Sequence, residues 1–253
     1  MTTRRPVIAG NWKMHKTVGE ARALAADLAA QLRDLGASGP EVVLCPPFTA
    51  LAAVQEVLTG TGLALGAQTM DWHEQGAFTG EVAPGMLVDL GVTHVVLGHS
   101  ERRQLFGETD EGVRRKVEAA LQHGLVPIVC VGETLEEREG GLTDNVVIVQ
   151  VQRALHGRQP TEVARVIFAY EPVWAIGTGK TCDAVEANRV CGVVRDTIAR
   201  LTDVATAEAV RIQYGGSVKP DTIAGQMAQP HIDGALVGGA SLEAASFAAI
   251  VRF

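Results

Sequence analysis

The chain of 253 residues has no apolar run long enough to span a bilayer, and no hydrophobic signal segment follows Met1-Thr2-Thr3-Arg4-Arg5. Its cysteines, Cys45, Cys130, Cys182 and Cys191, form no Cys-x-x-Cys pair, which points to free thiols in a reducing compartment. Both absences lead to the expectation of a cytoplasmic protein. His73-Glu74 has no second histidine at the spacing a zinc protease helix needs, so no metal is expected. Gly179-Lys180-Thr181 ends like a phosphate-binding P-loop, but Trp174 stands where that loop needs glycine, and Cys182 likewise breaks a dinucleotide fingerprint. There is no surplus of positive charge: the formal net charge of −7 argues against a nucleic-acid partner. An anionic substrate would have to be held by locally placed donors. No Pro/Gly/Ser linker divides the sequence, and one domain over residues 1–253 is expected.

Hydrophobic residues make up 47% of the chain, enough for a sizeable core, and 20% charged residues exclude a disordered polymer. Short β-branched runs at 7–11, 42–45, 63–67, 94–98, 126–131, 166–170, 210–214 and 234–238 read as strands. Longer Ala-rich amphipathic segments at 17–35, 49–59, 84–90, 110–123, 143–155, 183–201, 220–228 and 242–252 alternate with them as helices. The strands are apolar on both sides, as in a parallel sheet covered by helices. Units of about 32 residues are the size of one βαβ step, and eight of them match an α/β protein of one domain, a closed (β/α)8 TIM barrel with eight parallel strands. An open doubly wound sheet is the alternative; it more often carries a glycine fingerprint after its first strand, where Asn11-Trp12-Lys13 sits instead.

In a barrel, chemistry gathers where strands end. Asn11 and Lys13 follow strand 1, and His99, Ser100 and Glu101 follow strand 4. Gly132 and Glu133 follow strand 5, and Glu171 ends strand 6. Gly215-Gly216-Ser217 and Gly238-Gly239 follow strands 7 and 8. Pro172 biases Glu171 toward extended backbone. Val173, Trp174, Ala175 and Ile176 are apolar enough to exclude water, and Gly177 and Gly179 supply open N–H groups, so Glu171 reads as a base beneath a closing lid. Burial there is expected to raise its pKa. A neutral His99, held so by the helix starting at Ser100, would donate to a substrate oxygen. Lys13, with Glu101 as partner, would stabilise developing negative charge. The two glycine turns offer backbone N–H groups for a phosphate. Gly98-His99-Ser100-Glu101-Arg102 departs from a nucleophile elbow, which needs glycine at Arg102.

Six blocks in order carry a resemblance: Asn11-Trp12-Lys13-Met14, Gly76-Ala77-Phe78-Thr79-Gly80-Glu81, Gly98-His99-Ser100-Glu101-Arg102-Arg103, the stretch from Tyr170 to Lys180, Tyr214-Gly215-Gly216-Ser217-Val218 and Gly238-Gly239-Ala240-Ser241. Together they resemble the triosephosphate isomerase family over essentially the whole chain. The resemblance implies interconversion of dihydroxyacetone phosphate and D-glyceraldehyde 3-phosphate through an enediolate, in glycolysis and gluconeogenesis, without metal or cofactor. That family is itself a standing illustration of a glutamate base beside a neutral histidine, so these roles belong to the resemblance. It implies Glu171, His99 and Lys13 as catalytic residues. Asn11, Trp12, Lys13, Gly177, Ser217, Gly238 and Gly239 would bind substrate, with Trp174 in the lid hinge. It also implies a homodimer in which the long loop from Gln68 to Ala83 carries Thr79 toward the partner, with Met14 at the interface. Thr69 departs from the asparagine common in the family, and Cys182 from the more usual alanine at the far lid hinge. Cys182 N–H is the group Tyr214 is expected to meet on closure. On the residues alone, a Schiff-base aldolase and a catalytically silent phosphometabolite-binding barrel stay open.

Overall fold

Within residues 4–36, 38–176 and 180–253, which the computed structural model describes, all the expected strands form. They are β1 (Val7–Asn11), β2 (Glu41–Cys45), β3 (Ala64–Ala67), β4 (His94–Leu97), β5 (Val126–Val131), β6 (Ile167–Tyr170), β7 (Arg211–Tyr214) and β8 (Gly234–Val237). Each pairs in parallel with its neighbour in sequence, and β8 closes onto β1 through Val7–Gly234 to Gly10–Val237. Closure leaves no strand edge, and it decides against the open sheet.

Alternation along the strands builds two apolar layers. Val7, Ala9, Val43, Cys45, Val96, Ile128, Cys130, Ile167, Ala169 and Leu236 cluster separately from the rest and fill the barrel. Their sequence neighbours, such as Ile8, Leu44, Val95 and Phe168, pack with the surrounding helices in the larger core. Because both faces are buried, the strands read as continuous apolar runs. Several helices start where a side chain satisfies a free N–H group: Asp183 Oδ1 accepts from Glu186 N–H at 2.8 Å and opens Ala184–Leu201. The helix expected over 220–228 shortens to Ile223–Met227, because the Lys219 carbonyl draws the Thr222 and Ile223 N–H groups into a turn. The helix expected to begin at Ser100 runs over Ser100–Phe106, and short helices not foreseen lie at Leu135–Glu139, Pro160–Val163 and Val204–Ala209. Among the described residues no helix is long and apolar enough to cross a membrane.

Strand β4 stops at Leu97, one residue short of expectation, because Gly98 has φ +68°. A Cβ there would also stand 2.9 Å from side-chain atoms of Arg103 and Val113. This left-handed step, open to glycine, turns the chain and brings His99 to the barrel mouth.

At the opposite end of the barrel His94 is 3% exposed, with Nε2 3.4 Å from Glu41 Oε1, and Arg211 bonds the same carboxylate. Burial pushes the His94 imidazole down to about 4, against the pull of Glu41. The folded pKa thus lies below the unfolded value of about 6.5, so the unfolded chain binds the extra proton. The stability this neutral histidine contributes is complete above pH ~6.5 and is lost as pH falls toward 4. His94→Gln should remove up to about 3 kcal/mol of that acid-side loss. Urea midpoints at pH 7 and pH 4.5 check this; equal acid sensitivity of the variant and the parent would contradict it.

Candidate active site

Glu171 leaves the tip of β6 with its N–H donated to Val131 O at 2.8 Å. The residue is 2% exposed. Oε1 lies 2.9 Å from His99 Nε2, and Oε2 accepts from the Ser100 N–H at 2.9 Å. Burial raises the carboxyl pKa as expected, but His99, the Ser100 N–H and Lys13 outweigh it, and the net direction is down. The expected rise is corrected for this arrangement. A carboxylate that receives two short hydrogen bonds is stabilised in its charged form more than burial penalises it.

His99 caps the helix Ser100–Phe106, and its Nδ1 accepts from the Glu101 N–H at 3.2 Å. That acceptor role needs a lone pair on Nδ1, so the proton sits on Nε2, pointing at Glu171. Burial lowers the His99 pKa, yet contact with the Glu171 carboxylate reverses this and the net direction is up. The depressed imidazole expected from the helix terminus alone is corrected while the two groups touch.

Lys13 holds a left-handed backbone, φ 52°, which is strained for a side chain of this size. Asn11 Oδ1 accepts its N–H at 3.0 Å, and Gln68 Nε2 donates to its carbonyl at 2.8 Å. Nζ reaches Glu101 Oε1 at 2.6 Å, the pairing expected. Gln68 was read only as the start of a loop. It also donates to Cys45 O at 2.9 Å and so ties β2 to the strained turn.

Asn11, Lys13, His99 and Glu171 face one cavity of about 400 Å³, which Ser217, Gly238 and Gly239 also line. Lys180 and Lys219 add positive charge at its wall, a contribution from Lys219 that was not foreseen. Gly238 lies against the Lys13 stem: a Cβ on it would be 3.4 Å from Cε. Gly177 falls outside the described residues. Trp12 does not line the cavity. It is fully buried in the outer core, and a substrate-binding role for its side chain is corrected. Successive side chains at a strand end point to opposite faces, so Asn11 and Lys13 reach the mouth while Trp12 turns to the helices.

Glu133, placed at the rim but given no role from sequence, is fully buried under the first part of the lid. Its Oε1 accepts from Trp174 Nε1 at 2.8 Å, Tyr170 OH at 3.2 Å and Arg138 Nη1 at 3.3 Å. The Arg138 guanidinium also sits 4.5 Å from the centre of the Trp174 ring. A carboxylate directly after the strand-end glycine was the available signal, but its partners are 37 to 41 residues away for Tyr170 and Trp174. At the far hinge the Tyr214 hydroxyl donates to the Cys182 carbonyl at 3.5 Å, so in this arrangement it meets that peptide's oxygen. The Cys182 thiol is buried and pushed up to about 12, which leaves little thiolate.

The loop beginning at Gln68 is organised rather than loose. Asp71 N–H reaches Val82 O at 2.9 Å, and the rings of His73 and Phe78 stack at 3.9 Å. Thr79 is exposed at its tip, away from its own cavity. Met14 at 94%, Phe106 at 67% and Phe78 at 42% exposure leave apolar surface beside the site. Met14, Phe48 and Phe106 line a second hollow that adjoins Lys13 and Glu101. Thr69, the departure from the family pattern, accepts from the buried Lys116 Nζ at 3.2 Å.

Comparison with known proteins agrees with this geometry. A family model described as triosephosphate isomerase matches residues 6–253. A protein named triosephosphate isomerase from Symbiobacterium thermophilum is 58% identical over 247 residues, covering 98% of this chain and 96% of that relative. One of the same name from Caldanaerobacter subterraneus subsp. tengcongensis is 57% identical over 250 residues, covering 99% and 100%. Another from Chloroflexus aurantiacus is 56% identical over 250 residues, covering 99% of each. With a closed eight-stranded barrel, a buried carboxylate–imidazole pair at its mouth and relatives matched end to end, the chain belongs to the triosephosphate isomerase family.

Proposed function

We propose that Glu171, His99 and Lys13 carry the isomerisation of dihydroxyacetone phosphate and D-glyceraldehyde 3-phosphate that membership of the family assigns to the chain, a step of glycolysis. One observation carries the assignment: a buried carboxylate, an imidazole with its proton on Nε2 and an ammonium open into the same cavity. Substrate binds between Glu171 and His99 and separates them. The carboxylate then loses the contacts that depress its pKa and keeps the burial that raises it, so it becomes a stronger base as it meets a substrate C–H. Parted from Glu171, His99 keeps the burial that lowers its pKa and donates as a neutral imidazole.

Glu171 takes the proton from C1 of the ketose; the C–H electrons form the C1–C2 double bond, and negative charge develops on the C2 oxygen. His99 Nε2–H and Lys13 Nζ donate to the oxygens of this enediolate; His99 passes its Nε2 proton to the C2 oxygen and takes up the C1 hydroxyl proton in exchange, and as the C1 carbonyl forms, the double-bond electrons take the proton back from Glu171 at C2. Asn11 steadies the Lys13 turn. The backbone of Ser217, Gly238 and Gly239, with Gly177, holds the phosphate. These donors account for how a chain of net charge −7 binds a dianion. The catalytic unit is the whole chain as one domain, acting in the cytoplasm.

A coupled assay converting dihydroxyacetone phosphate tests the reading directly. Borohydride with substrate must leave the enzyme unmodified, since no imine forms; trapping at a lysine would favour the aldolase alternative.

The assembly that fits the exposed apolar surface is a homodimer. The partner's loop from Gln68 to Ala83 enters the hollow beside Lys13 and brings its Thr79 toward Asn11 and Lys13. Exposed aromatic and methionine side chains around an ordered loop support it. Phe78→Asp should shift the mass in light scattering from two chains to one and lower turnover. A variant that stays dimeric with full activity would contradict this assembly.

A further inference from the structure

Gln150 lies on the helix Thr143–Leu155, whose Val147, Val151 and Ala154 are buried against the barrel. Its side-chain amide holds one residue on both sides: Oε1 accepts from Gly132 N–H at 2.7 Å, and Nε2 donates to Gly132 O at 3.3 Å. Gly132 is the residue packed against the backbone of Glu171. A Cβ on it would stand 1.8 Å from the Glu171 carbonyl oxygen and 3.3 Å from its Cα. On either side the two chains are bonded, Glu171 N–H to Val131 O at 2.8 Å and Val173 N–H to Glu133 O at 3.1 Å.

The contact at Gly132 itself is only van der Waals, and glycine is free to move in φ and ψ. A glycine held at both its N–H and its C=O by a side chain on a helix packed against the barrel is not. A small cavity of about 150 Å³, lined by Gln150, Gly132, Ser100 and Glu171, lies behind the carboxylate, so there is room for Glu171 to sag if Gly132 shifts. We propose that Gln150 is a positioning residue for the isomerisation: by clamping Gly132 at its N–H and its C=O it sets the Cα of Glu171, and so the reach of the carboxylate to the substrate carbons. The proposal rests on the reading of Glu171 as the base.

Gln150→Leu removes both hydrogen bonds at nearly constant size. The expected result is a fall in kcat of roughly tenfold to a hundredfold, since an error of about 1 Å at the base has that effect. KM and the affinity for a phosphate-bearing inhibitor stay close to wild type, because Lys13, Ser217 and Gly238 lie elsewhere on the cavity wall. The primary isotope effect with substrate deuterated at C1 should rise as proton abstraction limits turnover, a change that a merely structural role would not produce. Gln150→Glu keeps the acceptor for the Gly132 N–H but sets a carboxylate oxygen against the Gly132 carbonyl, so it should recover kcat only in part. If Gln150→Leu is unfolded, Gln150→Asn, the same amide on a shorter stem, carries the same expectation. Unchanged kcat and isotope effect in the folded variant, with only the melting temperature lowered, overturns the proposal. Glu171→Gln in parallel separates the two readings. If it retains turnover, the base assignment fails; if it abolishes turnover while Gln150→Leu stays at wild-type kcat, only the positioning role fails.

Discussion

Replacing Glu171 by aspartate lowers kcat by roughly 10²-fold while KM changes little. The substitution keeps the charge and removes one methylene, withdrawing the carboxylate by about 1.5 Å, one C–C bond. Reacting atoms must meet at about 3–3.5 Å, and a misplacement of about 1 Å is enough for a loss of that order. The backbone cannot follow the shortened side chain. Glu171 N–H is bonded to Val131 O, its carbonyl is packed on Gly132, and Val173 N–H is bonded to Glu133 O. Nor do the groups proposed to hold the phosphate move, which is why KM is spared. Steady-state kinetics in both directions measure the effect. Turnover of Glu171→Asp close to wild type would mean that another group abstracts the proton.

Replacing Lys13 by methionine should lower kcat/KM by about 10²-fold to 10³-fold, the usual loss on deleting a charge-stabilising donor from an active site. It should weaken a phosphate-bearing inhibitor at neutral pH as well. The chain carries −7 overall, so an incoming dianion is repelled by the protein as a whole and depends on cations at the cavity. The Lys13 ammonium is held in place by Glu101 at 2.6 Å and by a strained turn that Asn11 and Gln68 brace. Methionine keeps the length and the apolar stem, so the loss reports charge rather than packing. Deletion also strips Glu101 of its partner and leaves a bare carboxylate beside the site, which adds to the repulsion. Inhibitor affinity unchanged in Lys13→Met would remove the ammonium from the binding of the phosphate.

Much of the fold was legible because its signals are local and repeated. Apolar runs bounded by helix patterns marked every strand, and misplacements were of one residue, as at Gly98, where a positive φ cuts β4 short. Glu171, His99 and Lys13 were legible because each stands at the end of a strand, and a barrel brings strand ends together. The residues that steady them were not. Glu133 meets Trp174, Gln68 meets Lys13 and Gln150 meets Gly132 across separations of 41, 55 and 18 residues. Nothing in a strand or helix pattern encodes such a meeting. Trp12 shows the opposite failure: it shares a motif with Asn11 and Lys13 but sits on the other side of the pleat, buried in the core.

The order of the eight strands and their main helices, and the resemblance to the family, were determined by the amino-acid sequence alone, because hydrophobic period and strand-end residues are local, whereas closure of the sheet into a barrel was decided by the pairing of β8 with β1. Tertiary structure decided the protonation balance. Burial acts to raise Glu171 and lower His99, and contact at 2.9 Å reverses both directions. Electrostatic interaction falls off with distance, whereas residue type sets only the charge. A chain can therefore announce which groups will meet, but the strength and sign of what they do to each other come from how closely the barrel packs them.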